Sequence, residues 1–235
     1  MSTFNLKTFD VKRYDEVLAR GLSHGVGKRD GQMCIEAAIC AVLDLDHNDD
    51  PQCVAKSVRS FKIALNDKPW SSPKARAEGL RDLGLAQLGS LGVVDDKQFV
   101  KLLAEGLIRV MLPTLVRDLW PEDEKLMAAA SRCEKEGTRE SGLALRDLLR
   151  YPAADAAAYA AYAAAYAYAA AYAYAAAADA AADAAAYAYA YAYAARDKYL
   201  ALAAQIALDV LRKLKSPGCK LLAPAKRNAR KETRA

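Results

Sequence analysis

Between residues 153 and 195 the chain is written in three amino acids only: thirty Ala, ten Tyr and three Asp. Ala is the strongest helix former, and the stretch holds neither Gly nor Pro to interrupt a helix. An unbroken helix here would run about 65 Å at the usual rise per residue, far past the three turns typical of a globular domain. The alternation Tyr187, Tyr189, Tyr191, Tyr193 has the period of a strand. The Ala majority and the lack of hairpin turn residues decide for the helix. On that helix Tyr159, Tyr162, Tyr166, Tyr187 and Tyr191 form one stripe, and Tyr168, Tyr172, Tyr189 and Tyr193 form another roughly opposite. Between them Ala175–Ala186 has no Tyr and carries Asp179 and Asp183, the expected point for a kink or an exit to solvent. A helix apolar all round is expected to be buried, as the spine of its own bundle or as a seam with a second copy. Its length favours the seam, and so a homo-oligomer. A membrane span is not expected, because Ala inserts only marginally and the Tyr residues are spread through the middle of the tract.

The remaining sequence reads as short helices with clear punctuation. A helix over Val11–Arg20 ends at Gly21, and an apolar helix is expected from about Gln32 to Leu45. Asp50-Pro51 and Ser72-Pro73 each carry a helix start, a capping side chain followed by Pro at the first position. The second of these helices should reach about Leu88. Asp95 or Asp96 caps a helix through Val110, with breaks at Pro113 and Pro121. Glu122–Glu136, Thr138–Arg150 and Arg196–Lys215 complete the helical set, and Ser216-Pro-Gly218 stops the last. The turn Asn66–Pro73 carries Trp70 as an anchor. The expected class is all-α: an N-terminal bundle of short helices over 1–150, the long Ala/Tyr helix with its following helix over 151–215, and a flexible basic tail over 216–235.

The net charge of +5 is confined to that tail. Lys220, Lys226, Arg227, Arg230, Lys231 and Arg234 stand against the single acid Glu232, which leaves the body neutral. Nucleic acid is therefore not the expected partner, since phosphate affinity needs charge clustered on a formed face; binding through the tail is a third-ranked reading. The five cysteines form no CxxC pair and no apolar leader opens the chain, so a reduced, cytoplasmic protein is expected.

Chemistry concentrates in the glycine-rich loop 21–31. Gly25, Gly27 and Gly31 let backbone amides converge, Lys28 and Arg29 add positive charge, and the helix that follows favours an anion at its N-terminus. No strand precedes the loop and it is not a GxxxxGK[ST] loop, so it reads as an anion site of no standard kind, or as a simple connector. Cys34, placed in the first turn of that helix, would have its thiol pKa lowered by the dipole, and with His24 it forms a candidate nucleophile pair. Cys34, Cys40, His47 and Cys53 lie within twenty residues but match no zinc spacing, and Asp44, Asp46, Asp49 and Asp50 lack the order of a calcium loop. No metal and no cofactor is expected.

The segments Gly31–Ala38, His47–Cys53, Leu65–Ser72, Ala86–Ser90, the Ala/Tyr/Asp tract and Lys213–Cys219 resemble a family of bacteriophage and bacterial proteins to which no activity is assigned. The resemblance covers nearly the whole chain. It implies a phage or mobile-element setting, in which small proteins act by binding host components, and it defines no site residues. The function expected on these grounds is non-enzymatic binding of an anionic ligand or a host protein through loop 21–31. A small enzyme using Cys34 and His24 is the alternative.

Overall fold

The computed structural model describes residues 4–149 and 196–222. The Ala/Tyr tract and the last residues of the basic tail, with the expectations of a long helix and an oligomer seam, lie outside the described residues. The described part is all-α. Its helices are α1 (Val11–Leu18), α2 (Ile35–Val42), α3 (Lys56–Asn66), α4 (Pro73–Ala86), α5 (Asp96–Gly106), α6 (Leu112–Leu119), α7 (Glu124–Glu136), α8 (Arg139–Leu149) and α9 (Arg196–Lys213). Two isolated β-bridges, Leu22 to Met33 and Gly27 to Met33, are the nearest approach to a sheet among the described residues.

Caps explain most of the boundaries. The Ser72 hydroxyl accepts the Ala75 amide at 3.0 Å with Pro73 at the first helical position of α4. Asp95 accepts the Gln98 amide at 2.7 Å to open α5, and Asp123 takes two amides of α7. Each satisfies donors that the first turn of a helix leaves without a partner. The start expected at Asp50-Pro51 does not occur: α3 begins at Lys56. Gln52 stands at φ 56°, outside helical geometry, and the Cys53 carbonyl is taken by the Leu91 amide at 3.1 Å. Local punctuation loses there to a tertiary contact.

Pro113 does not break the chain either. α5 continues through a π turn, Leu107–Met111, directly into α6, with the Leu112 amide reaching back to the Leu107 carbonyl. A π turn holds one residue more than the α-helix would, and this one lies just ahead of the residue that has no amide to donate. The turn also aims Arg109 at the end of α7. The Arg109 guanidinium donates to the carbonyls of Glu134 at 2.9 Å and Glu136 at 2.7 Å, and pairs with Glu105 at 2.8 Å. Gly137 follows at φ 61°, and a Cβ on it would overlap that guanidinium, so only glycine serves both the left-handed backbone and the close approach.

The core is built around α4 and α9, whose contact is the most extensive among the described helices, with α1, α2, α3 and α5 around them. Tyr199, Leu200, Ala203, Ala207 and Leu211 of α9 are buried against it. α9 thus packs directly on helices of the 1–150 segment. The stop at Ser216-Pro-Gly218 is seated on the same core: the Ser216 hydroxyl donates to the Ala86 carbonyl at the end of α4, at 2.5 Å. Helices α6, α7 and α8 pack on one another and on the π turn. Trp70 is buried in its turn, with its indole N–H on the Leu65 carbonyl at 3.0 Å. No described helix is long and apolar enough to cross a membrane.

Candidate functional site: the glycine loop and the polar cluster beneath it

Loop 21–31 is fastened along its length. The Leu22 amide donates to Pro73, Ser23 to Met33, Lys28 to Gln32 and Cys34 to Val26, all at 2.9–3.2 Å. The Gly31 amide closes a tight turn on the Lys28 carbonyl at 3.0 Å. Gly27, at φ 76°, lies so close to the Ser23 hydroxyl and the Gln32 carbonyl that no side chain fits there. Its carbonyl receives the His47 ring nitrogen at 3.2 Å. The Gly25 amide donates to the Asp67 carboxylate at 2.9 Å. The loop thus gathers an anion on a backbone amide, as its glycines suggest, but that anion is the chain's own Asp67. What remains for solvent is the tip: Lys28, Arg29 and Asp30 are exposed, and Lys28 has no ion-pair partner among the described residues. Asp44 is held below the usual carboxylate range, mainly by its hydrogen bond from Arg13 and to a lesser degree by the charge of Arg29.

Cys34 is the N-cap of α2 and not a residue of its first turn. Its sulfur accepts the Ala37 amide at 3.3 Å. The lowering of its pKa expected from the helix end is overturned: burial pushes the thiol up to about 11, outweighing the amide hydrogen bond, and the charge of Glu36 adds to the rise. His24 stands exposed on the loop. Cys40 is pushed up to about 12, chiefly by burial, and its sulfur faces the Asn48 side chain at 3.5 Å. Among the described residues no group of His, Cys, Asp and Glu is arranged to hold a metal ion.

Beneath the loop lies a cluster that sequence reasoning missed. Glu36 of α2, Lys62 of α3 and Gln87, which caps the end of α4, are all 0% exposed. One carboxylate oxygen of Glu36 accepts the Gln87 side-chain amide at 2.8 Å, and the other lies 3.1 Å from Lys62 Nζ. Burial raises the Glu36 pKa and lowers that of Lys62, each shift opposed by the charge of the other group. Asn66, four residues past Lys62, connects this centre to the loop. Its amide donates to the Ser23 carbonyl and to Asp67, each at 2.9 Å, and its oxygen accepts the Ile35 amide at 3.3 Å. The available signal was Glu36 itself, the single charge in the apolar run Ile35–Val42.

With this geometry in place, comparison with family models, with curated proteins and with solved structures finds no match. The site has to be read from its own chemistry. It consists of a stiff loop with a cationic exposed tip, resting on a polar centre closed to solvent.

Proposed function

We propose that the protein is a non-enzymatic binding protein, of the phage or mobile-element kind its sequence resembles, which takes an anionic, phosphate-bearing ligand on the Lys28–Arg29 tip of loop 21–31. The observation that carries this reading is the contrast between the fastened loop backbone and the two exposed cations at its tip. A held backbone reduces the ordering cost of binding, which leaves more of the attraction for affinity. The amide of Gly25 already serves Asp67, so recognition falls to the side chains and to the charge they bring. Burial of Cys34 and the rise of its pKa to about 11 favour binding over thiol chemistry.

The test is a thermal shift of the full chain with inorganic phosphate and a panel of nucleotides. A ligand at about a hundred times its Kd stabilises the folded state by about 2.7 kcal/mol. The wild type should show a raised Tm with at least one of these anions, and the Lys28→Ala/Arg29→Ala variant should not. Equal shifts in both proteins, or none in either, would sink the reading.

A further inference from the structure

The sealed centre contains an arrangement that binding does not use. Lys62 Nζ lies 3.1 Å from Oε1 of Glu36, an ion-pair contact that sets the amine beside the carboxyl group. Neither atom has another hydrogen-bond partner among the described residues, so the amine and this carboxylate oxygen have only each other. The second oxygen, Oε2, receives the Gln87 amide at 2.8 Å. Neighbours on all three helices, Ile35 and Ile39, Val58 and Leu65, Leu83 and Ala86, are buried, and the three polar side chains have no exposed surface.

We propose that this centre is a self-modification site, in which Lys62 and Glu36 join through an amide bond between Nζ and the side-chain carboxyl carbon. The reactants are the neutral amine and the carboxylic acid, the same protons as in the ion pair differently shared. Burial favours these forms, raising the acid's pKa and lowering the amine's. The nitrogen lone pair attacks Cδ and forms the C–N bond. Negative charge collects on Oε2, where the Gln87 N–H donates to it in the manner of an oxyanion hole. The adduct collapses by breaking the Cδ–Oε1 bond. Oε1 leaves as water, carrying the acid proton and one proton from the attacking nitrogen. No oxidant or co-reactant is required. The product also removes the two charges whose desolvation makes a buried pair costly, and it ties α2 to α3 covalently.

Intact-mass spectrometry of the denatured full-length protein tests this directly. The expected mass is one water below that of the sequence, with a protease digest yielding a branched peptide that joins the segments containing Glu36 and Lys62. The Lys62→Met variant should keep its full mass. Gln87→Met should form the bond about 10²–10³-fold more slowly after refolding, as loss of one oxyanion donor does elsewhere. Full mass in wild-type protein after prolonged incubation in the folded state would overturn the proposal. So would a water loss that persists in Lys62→Met, or a loss of ammonia with Lys62 linked to Gln87 instead.

Discussion

Glu36 and Lys62 show what a single residue can impose on a core. Measured against the unlinked pair, removing one partner leaves the other charge buried alone, which costs about 3–5 kcal/mol. Lys62→Met and Glu36→Leu should each be destabilised on that scale, and the double variant should recover about 3 kcal/mol relative to the worse single. Chemical denaturation of the three proteins measures the difference. The sign with pH follows from the shifts. Glu36 has its folded-state pKa raised, so in Lys62→Met its contribution is full below the ordinary value of 4.5 and is lost as pH climbs through the folded value. That variant should be more stable near about pH 5 than near about pH 8. Lys62 has its pKa lowered, so Glu36→Leu should lose stability as pH falls through the folded-state value of Lys62 and regain it towards alkaline pH. Matching slopes in the two variants would refute the assignment. Glu36 was legible in outline, as a lone charge among Ile35, Ala37, Ala38 and Ile39. Lys62 was not, because its neighbours Phe61 and Ile63 give it the ordinary look of a surface lysine, and its partner stands 26 positions away. The loop cations were found by composition alone. The occupation of the Gly25 amide by Asp67 was not, since it depends on where α3 ends.

At the scale of the helix, the end of α7 depends on a residue from another element. Arg109 brings several donors to the successive carbonyls of Glu134, Lys135 and Glu136, and Arg109→Ala should cost about 1.5–3 kcal/mol, the range for hydrogen bonds to a charged group. Arg109→Lys should recover little, because a point charge does not reproduce the fork. Hydrogen exchange should show the loss first in the final turn of α7, over Glu134–Glu136. Exchange spread evenly over the molecule would contradict the capping role. Most helices were legible because their caps are local: Ser72, Asp95 and Asp123 each sit within three residues of the amide they serve. Two elements were misread for a shared reason. Pro51 and Pro113 both carry strong local signals, and both are overruled by backbone arrangements, a contact from Leu91 and a π turn, that no short window contains.

Over the whole molecule the decisive fact is that α9 completes the core begun by α1–α5. Ending the chain at residue 195 would remove α9, with its buried Tyr199, Leu200 and Leu211, and expose the face of α4 that it covers. Such a chain should lose the cooperative thermal transition of the full-length protein, as followed by circular dichroism. A sharp transition at an unchanged Tm would show that the N-terminal helices stand alone. The start of α9 is also fixed: Asp118 at the end of α6 accepts from both Lys198 and Tyr199, at 2.5 and 2.6 Å, and the Asp197 carboxylate takes the Ser71 amide at 2.9 Å. The rod formed by α5, the π turn and α6 has a consequence for how the molecule holds together. Its first half belongs to the layer around α4 and α9, and its second half to the α6–α8 hairpin. The π turn lets one continuous backbone serve both neighbourhoods. The rod therefore acts as a mechanical coupling between the two layers, and Asp118 at its far end ties α6 back to α9 through Lys198 and Tyr199.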